Sequence, residues 1–166
     1  MRQLREVALD LLFPPSCAGC GARGAFLCAS CTAALPPLKL PLCARCGKTI
    51  SSGILCSECA GRSLPIDGMR SVLRFEGVAR QAVLQFKYKG VKALAVPLAE
   101  LLGEYLRAHP LPADVLVPVP LHPRRLRERG YNQSALLARE LSRIASLRVT
   151  ERTLVQIGRA SCRERV

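Results

Sequence analysis

Four Cys-x-x-Cys pairs constrain this chain more than any other feature. Eight of its nine cysteines lie between Cys17 and Cys59, and all eight belong to such pairs. One pair places two thiolates on a tight turn, so two pairs supply the four ligands of a tetrahedral structural Zn²⁺. The segment therefore predicts two zinc sites, and sites closed by four cysteines leave no open position for catalysis at the metal. Disulfides and redox dithiols are less favoured alternatives, since a redox motif needs only one pair.

The cysteine-rich segment is an internal repeat with a period of 26 residues: CAGCGARGAFLCASC (17–31) matches CARCGKTISSGILCSEC (43–59). Cys20 and Cys46 each precede a glycine, which frees the backbone to turn beneath a metal. The simplest assignment is sequential, with one ion on Cys17, Cys20, Cys28 and Cys31 and the other on Cys43, Cys46, Cys56 and Cys59. An interleaved pairing satisfies the same spacing.

The N-terminal stretch MRQLREVALDLLFPP predicts a short amphipathic helix over residues 1–16. Glu6 and Asp10 interrupt its apolar residues, whereas a secretory signal needs an unbroken apolar run of about 7–15 residues. No segment approaches the ~18 apolar residues of a membrane span. We therefore expect a cytoplasmic protein without a membrane span, in which thiols stay reduced and cysteine clusters hold metal.

The charge of the chain favours anionic partners. It has 25 Lys+Arg against 12 Asp+Glu, a formal net charge of +13, and 20 of the 25 cations are arginines. Two zinc sites of four thiolates would each contribute −2, which lowers +13 to +9. Nucleic acid, phosphorylated metabolites and acidic protein surfaces all remain possible partners. With four Phe, three Tyr and no Trp, the chain is poorly supplied for a base-stacking platform.

Beyond Pro65 the pattern predicts an α/β arrangement. MRSVLRF (69–75) and VLVPV (115–119) predict strands, the second a buried parallel one. Three apolar stripes at helical spacing predict helices: Ala79, Ala82, Val83 and Phe86, ending at Gly90; Leu98, Leu101, Leu102 and Tyr105, with Pro97 in the first turn; and Leu137, Leu141 and Ile144, capped by Asn132 or Ser134. Strands alternating with helices are typical of an α/β sheet.

An arginine-rich segment follows the second predicted strand. LHPRRLRERGYNQ (121–133) is predicted as a loop that leads into the third helix, and it carries Arg124, Arg125, Arg127 and Arg129. Ligands of open α/β sheets bind beyond the carboxyl ends of strands, so guanidinium groups beside a helix N-terminus would suit phosphate or pyrophosphate. A solvated basic loop is the alternative. His122 has no recognisable acid or nucleophile partner in the sequence, which favours a loop histidine, or one whose hydrogen bonds are satisfied, over a general base.

The order of these motifs resembles the ComF family (competence protein F). LLFPPSCAGCG, the four cysteine pairs, FKYKG and DVLVPVPLHPRRLRERGYNQSALLARELS carry the resemblance, which covers roughly residues 4 to 150. It implies a double zinc ribbon at 17–62 and, at 66–155, the first half of a Rossmann-like domain of the type I phosphoribosyltransferase kind. The PVPLH, RERG and NQ positions are its most specific part and imply a strand and a pyrophosphate-facing loop. Lys87 and Tyr88 also match a family pattern, without an assigned role.

The resemblance implies that the intact protein binds phosphoribosyl pyrophosphate with Mg²⁺ and takes part in DNA uptake or natural transformation. The competing interpretation is a non-enzymatic adaptor, in which the ribbons and arginines bind single-stranded DNA or a DNA-uptake ATPase. A third interpretation makes the ribbons purely structural and assigns the chain no activity.

The sequence departs from the family pattern toward its end. A phosphoribosyltransferase holds the ribose with two adjacent acidic residues and the 5′-phosphate with a Thr/Gly-rich turn, and neither is present here. The family would place both beyond residue 166, so we expect a C-terminally truncated chain that is inactive in phosphoribosyl transfer. The ending QIGRASCRERV resembles a translated sequencing adapter. Residues 156–166, with Cys162, are therefore predicted to be non-native.

Overall fold

The computed structural model of the chain describes residues 14–62 and 66–155. The predicted helix at 1–16 lies outside the described residues except for its last three positions, and the predicted tail at 156–166, with Cys162, lies outside them entirely. The helices are α1 Ala29–Ala33, α2 Ser57–Ala60, α3 Gly77–Tyr88, α4 Ala95–Ala108, α5 Pro123–Arg129 and α6 Gln133–Ala145. The strands are β1 Val115–Leu116 and β2 Arg148–Val149.

Each cysteine-rich repeat folds as a small hairpin followed by a short helix. One antiparallel bridge closes each hairpin. The turn glycines Gly21 and Gly47 have φ angles of +77° and +71°, a left-handed backbone conformation that residues other than glycine rarely adopt. Their predicted role in the turns is thereby confirmed. Helices α1 and α2 then carry the last cysteine of each repeat, Cys31 and Cys59, in buried positions.

The three helices predicted beyond Pro65 are confirmed as α3, α4 and α6. In α3 the buried residues are Ala79, Ala82 and Phe86, and the chain leaves the helix through Gly90 at a φ of +70°. Pro97 lies in the first turn of α4, where its missing N–H has no intrahelical partner to lose. The side chain of Asn132 caps α6 by accepting from the N–H groups of its first turn.

The predicted strand over 115–119 is shorter and more exposed than expected. Only Val115–Leu116 pairs, in parallel, with Arg148–Val149 of β2. Prolines at 118 and 120 lack the N–H that continued pairing requires, so the strand stops before them. Val119, between the two prolines, is 68% exposed. The parallel pairing and the α/β fold class are confirmed, and full burial of the strand is wrong. The order of helices and parallel strands is consistent with a partial phosphoribosyltransferase-like domain.

The predicted sheet strand over Met69–Phe75 is wrong. Among the described residues this segment makes one antiparallel bridge, between Leu73 and Pro37 of the linker that joins the two repeats. The Met69 N–H also donates to the Arg45 carbonyl of the second repeat, at 2.7 Å. The segment is extended because it lies along the metal-binding repeats, whose backbone groups replace those of a neighbouring strand.

The predicted loop over 121–133 is largely helix α5. Pro123 occupies the first turn of this helix, and Gly130 ends it at a φ of +74°. His122 precedes it, and its Nδ1 accepts the Arg124 N–H at 3.2 Å. The His122 ring therefore acts as a helix cap.

The main apolar core joins the first cysteine repeat to the α/β part. Its buried members are Ala18, Ala82, Phe86, Leu94, Ala95 and Tyr131. Helices α4 and α6 pack closely, since a β-carbon added at Gly103 would lie 2.5 Å from the Ile144 Cγ2 atom. In the described part of the chain, no helix has the length and apolar character needed to cross a membrane.

Candidate metal centres

The structure brings the eight clustered cysteines together as two separate sets of four. Cys17, Cys20, Cys28 and Cys31 form the first centre, and Cys43, Cys46, Cys56 and Cys59 form the second. Within each centre all sulfur atoms lie within 4.8 Å of one another. This grouping is the sequential one, in which each repeat supplies all the ligands of its own centre.

The sulfur geometry fits a tetrahedral ion. Four sulfurs placed ~2.3 Å from a central zinc ion are about 3.8 Å apart. The Cys20 and Cys28 sulfurs are 3.7 Å apart, and so are those of Cys46 and Cys56. Both four-cysteine centres therefore fit structural zinc, whose soft character matches four thiolate donors.

Backbone N–H groups point at the sulfurs in the same way in both repeats. The N–H of Cys28 donates to the Cys17 sulfur at 3.4 Å, and the N–H of Cys56 donates to the Cys43 sulfur at 3.3 Å. Such bonds favour the thiolate form that a metal ligand must take. This second layer of contacts repeats between the two hairpins and depends on their folding, so cysteine spacing alone did not reveal it.

The thiols within each centre differ strongly in acidity. Desolvation raises the pKa of Cys17, but hydrogen bonds from backbone groups of its own repeat outweigh it and bring the pKa to about 6. Backbone hydrogen bonds likewise lower the pKa of Cys43 to about 6. Desolvation and the neighbouring sulfurs raise the pKa of Cys31 and Cys59 to about 12. Each centre thus contains at least one thiol that ionises readily and one whose ionisation is opposed by burial, and a bound divalent cation would favour the thiolate form of the second.

The four arginines of the arginine-rich segment lie on two faces of α5. At 100° per residue, Arg124 and Arg127 share one face, and Arg125 and Arg129 share another. Arg124 is exposed and pairs with Glu128 through Nε and Oε1 at 2.9 Å. Arg129 is half-buried and donates to the Gln133 side chain at 3.0 Å. The helix therefore separates side chains that a loop could have directed at one ligand.

The face with Arg129 meets the end of α3. The Arg129 guanidinium lies 4.7 Å from the centre of the Tyr88 ring, and Lys92 lies 5.2 Å from the centre of the Tyr131 ring. The Tyr131 hydroxyl donates to the Phe86 carbonyl. The FKYKG and RERGYNQ strings are thereby brought together, although they lie far apart in the sequence. Composition gave no sign of this contact; the shared resemblance of both strings to one family was the available signal.

A cavity lies beyond the carboxyl end of β1. It has a volume of about 430 Å³, and its lining includes Pro118, Leu121, Tyr131, Asn132 and Arg139. The Arg139 guanidinium donates two hydrogen bonds to the Glu151 carboxylate, at 2.6 and 2.9 Å. The start of α6 borders this cavity, whereas none of the four arginines of α5 lines it.

The chain is similar to known proteins over its metal-binding repeats and beyond them. Residues 8–60 match the family described as "Double zinc ribbon domain". The chain is 29% identical over 124 residues to "Competence protein ComFC" of Bacillus subtilis (strain 168), which covers 70% of this chain and 52% of that protein. It is 34% identical over 123 residues to "DNA utilization protein YhgH" of Salmonella typhi, which covers 70% of this chain and 53% of that protein.

The chain thus spans about half the length of the curated relatives it matches. No solved structure matches it.

Proposed function

The chain belongs to the ComF family, and on that premise we propose that it serves the uptake and use of external DNA. This proposal rests on how many residues of the chain match these relatives. Relatives named for competence and for DNA utilization match 124 and 123 residues, whereas the double zinc ribbon model spans only residues 8–60. The similarity to these relatives therefore includes the α/β part. A metal-binding module alone would not produce a match of this length.

We assign residues 17–62 to the double zinc ribbon and residues 66–155 to part of a phosphoribosyltransferase-like domain. The zinc ions stabilise the fold without chemistry of their own, because four cysteine ligands leave no position open. In the intact protein, phosphoribosyl pyrophosphate with Mg²⁺ would bind beyond the carboxyl end of β1. Arg124, Arg125, Arg127 and Arg129 are our proposed anion contacts on the surface of α5, outside the cavity at that end of β1, which none of them lines.

The present chain should not transfer a phosphoribosyl group. The reaction develops positive charge on the ribose and negative charge on the pyrophosphate, so it needs groups for both. Arginines could serve the pyrophosphate, but the chain has no adjacent acidic pair for the ribose. Calorimetry with phosphoribosyl pyrophosphate and Mg²⁺ should detect no micromolar binding. A micromolar Kd would contradict this expectation.

Deletion of the gene in the organism that carries it tests the role in DNA uptake. Transformants per viable cell should fall sharply while the growth rate stays unchanged, and a plasmid copy should restore them. A copy with Cys28→Ser and Cys56→Ser should not restore transformation, because both centres lose a ligand. A copy with Gly61→Ala is the matched control, since a β-carbon there meets no atom within 4 Å. An unchanged transformation frequency in the deletion strain would overturn the proposal.

A second candidate function is direct binding of single-stranded DNA, and the contact between Arg129 and Tyr88 favours it. Tyr88 is 54% exposed, so its ring and the guanidinium over it present an aromatic and cationic surface. Lys92 extends the positive charge of the same region through its contact with Tyr131. Phosphates bind such charges with counterion release, and aromatic rings stack on bases.

Two double variants with equal loss of charge test this second candidate. Arg125→Ala with Arg129→Ala removes the face beside Tyr88, and Arg124→Ala with Arg127→Ala removes the opposite face. The first variant should reduce the slope of log affinity against log salt by about one to two, and the second should change it less. Fluorescence anisotropy with a labelled oligothymidylate, repeated at several salt concentrations, measures the slope for each variant. Equal slopes for the wild type and the first variant would exclude this surface.

A further inference from the structure

The two zinc ribbons have equivalent backbone hydrogen bonds, which allows their surfaces to be compared position by position. In the first ribbon the Ala18 N–H donates to the Phe26 carbonyl at 2.9 Å. In the second, the Ala44 N–H donates to the Ile54 carbonyl at 2.8 Å. Ala44 therefore corresponds to Ala18, and Ile54 corresponds to Phe26. Each pair of residues marks the same face of its ribbon.

In the first ribbon this face seats helix α3. Ala18 is buried in one cluster with Ala82 and Phe86 of that helix, and Phe26 packs against the same cluster. The Gln85 side chain donates to the Ala18 carbonyl at 2.9 Å. The ribbon face is thus a surface that binds a helix through small and aromatic side chains and one polar bond.

In the second ribbon the equivalent face has no helix on it among the described residues. Ala44 is exposed, and Ile54 is 76% exposed. The neighbouring Leu55 is also exposed. The Ala44 carbonyl accepts from the exposed Arg70 side chain at 2.6 Å, at the position where the first ribbon receives Gln85. An apolar surface of this kind, surrounded by polar groups, is typical of a binding site.

The second ribbon and the segment beside it are mainly positive. The second ribbon and the segment beside it, residues 39–62 and 66–70, contain five cations and two acids: Lys39, Arg45, Lys48, Arg62 and Arg70 against Glu58 and Asp67. Arg45 stands where the first ribbon has Gly19, and its guanidinium donates to the carbonyls of Cys59 and Arg62. A complementary partner would therefore carry negative charge beside its apolar residues.

We propose that the Ala44–Ile54 face of the second ribbon binds an amphipathic helix of a partner protein, with a stripe of small and aromatic residues flanked by acidic ones. The template is the contact between the first ribbon and α3, and the acidic flank follows from the surrounding cations. This interaction is independent of phosphoribosyl pyrophosphate binding and of the DNA surface proposed at Arg129.

A labelled peptide based on α3 tests the proposal with the full chain. The peptide has the sequence of residues 77–88 with Arg80→Glu and Lys87→Glu, and a hydrocarbon staple holds it helical. Fluorescence anisotropy should give saturable binding, and Ile54→Glu should weaken it about tenfold, as expected for loss of a central apolar anchor. Val155→Glu is the matched control, because Val155 is also 76% exposed, and it should leave binding unchanged.

Three results would overturn the proposal. The first is no binding of the acidic peptide up to roughly 1 mM, the weak end of specific affinities. The second is equal binding to the wild type and Ile54→Glu when both carry the same amount of zinc. The third is binding of an oligothymidylate that depends on Ile54, since that would assign the face to nucleic acid. The peptide with its natural Arg80 and Lys87 should bind less tightly than the acidic one, and tighter binding would contradict the acidic flank.

Discussion

Gly19 lies where the first zinc centre meets helix α3, and its lack of a side chain permits that contact. A β-carbon added there would lie 2.6 Å from the Cys31 sulfur and 3.0 Å from the Val78 Cγ1 atom. Cys31 is a ligand of the first centre, and Val78 belongs to the helix packed on it. One glycine therefore serves both the metal centre and the docking of the ribbon.

Gly19→Ala should lower the free energy of unfolding by about 1–3 kcal/mol, because the added methyl group overlaps atoms on both sides. Denaturant unfolding followed by far-UV circular dichroism measures the change. Gly61→Ala, at a position with open space around it, should change stability by less than about 0.5 kcal/mol. Equal stability of Gly19→Ala and the wild type would contradict the close packing.

At the scale of elements, α4 and α6 pack at Gly103 and Ile144. Within a helix, Gly→Ala usually stabilises by about 0.5–1 kcal/mol. Here the added methyl group would overlap the Ile144 Cγ2 atom. We therefore expect Gly103→Ala to destabilise the wild type by about 1–2 kcal/mol and to stabilise the Ile144→Ala variant. A double-mutant cycle by urea unfolding measures both effects, and stabilisation in both backgrounds would refute the helix contact.

Elements set by local signals were predictable from the sequence, and those set by distant partners were not. Helices α3, α4 and α6 follow apolar periodicity, and the turns at Gly21 and Gly47 follow from glycine chemistry. Helix α5 has no apolar stripe, but Pro123 near its start and Gly130 after its end are signals that could have revealed it. The segment at 69–75 was misassigned because its backbone partners lie in the ribbon region, far away in sequence.

At the scale of the whole molecule, the two ribbons are connected to the fold unequally. The first shares its core with α3, whereas the buried residues of the second form a cluster of their own around Cys43, Cys56 and Cys59. Metal binding supplies folding free energy in such small modules. Loss of the first zinc ion should therefore weaken the α/β part more than loss of the second. This long-range contact could not be predicted from cysteine spacing, which describes each centre alone.

The matched variants Cys28→Ser and Cys56→Ser test this difference. Each should retain one zinc ion, because each centre draws its ligands from a single repeat. Cys28→Ser should lower the thermal midpoint of helix unfolding more than Cys56→Ser. Circular dichroism with parallel metal analysis measures both quantities. Equal midpoints would contradict the unequal connection, and loss of both ions in either variant would indicate interleaved or interdependent centres.

The zinc content of the purified chain tests the central claim most directly. Native mass spectrometry of protein prepared under reducing conditions should show two zinc ions per chain, because each repeat assembles four cysteine sulfurs within 4.8 Å of one another. A chelator should remove both ions and unfold the ribbons. A chain that carries one zinc ion or none would contradict the account of two separate four-cysteine centres.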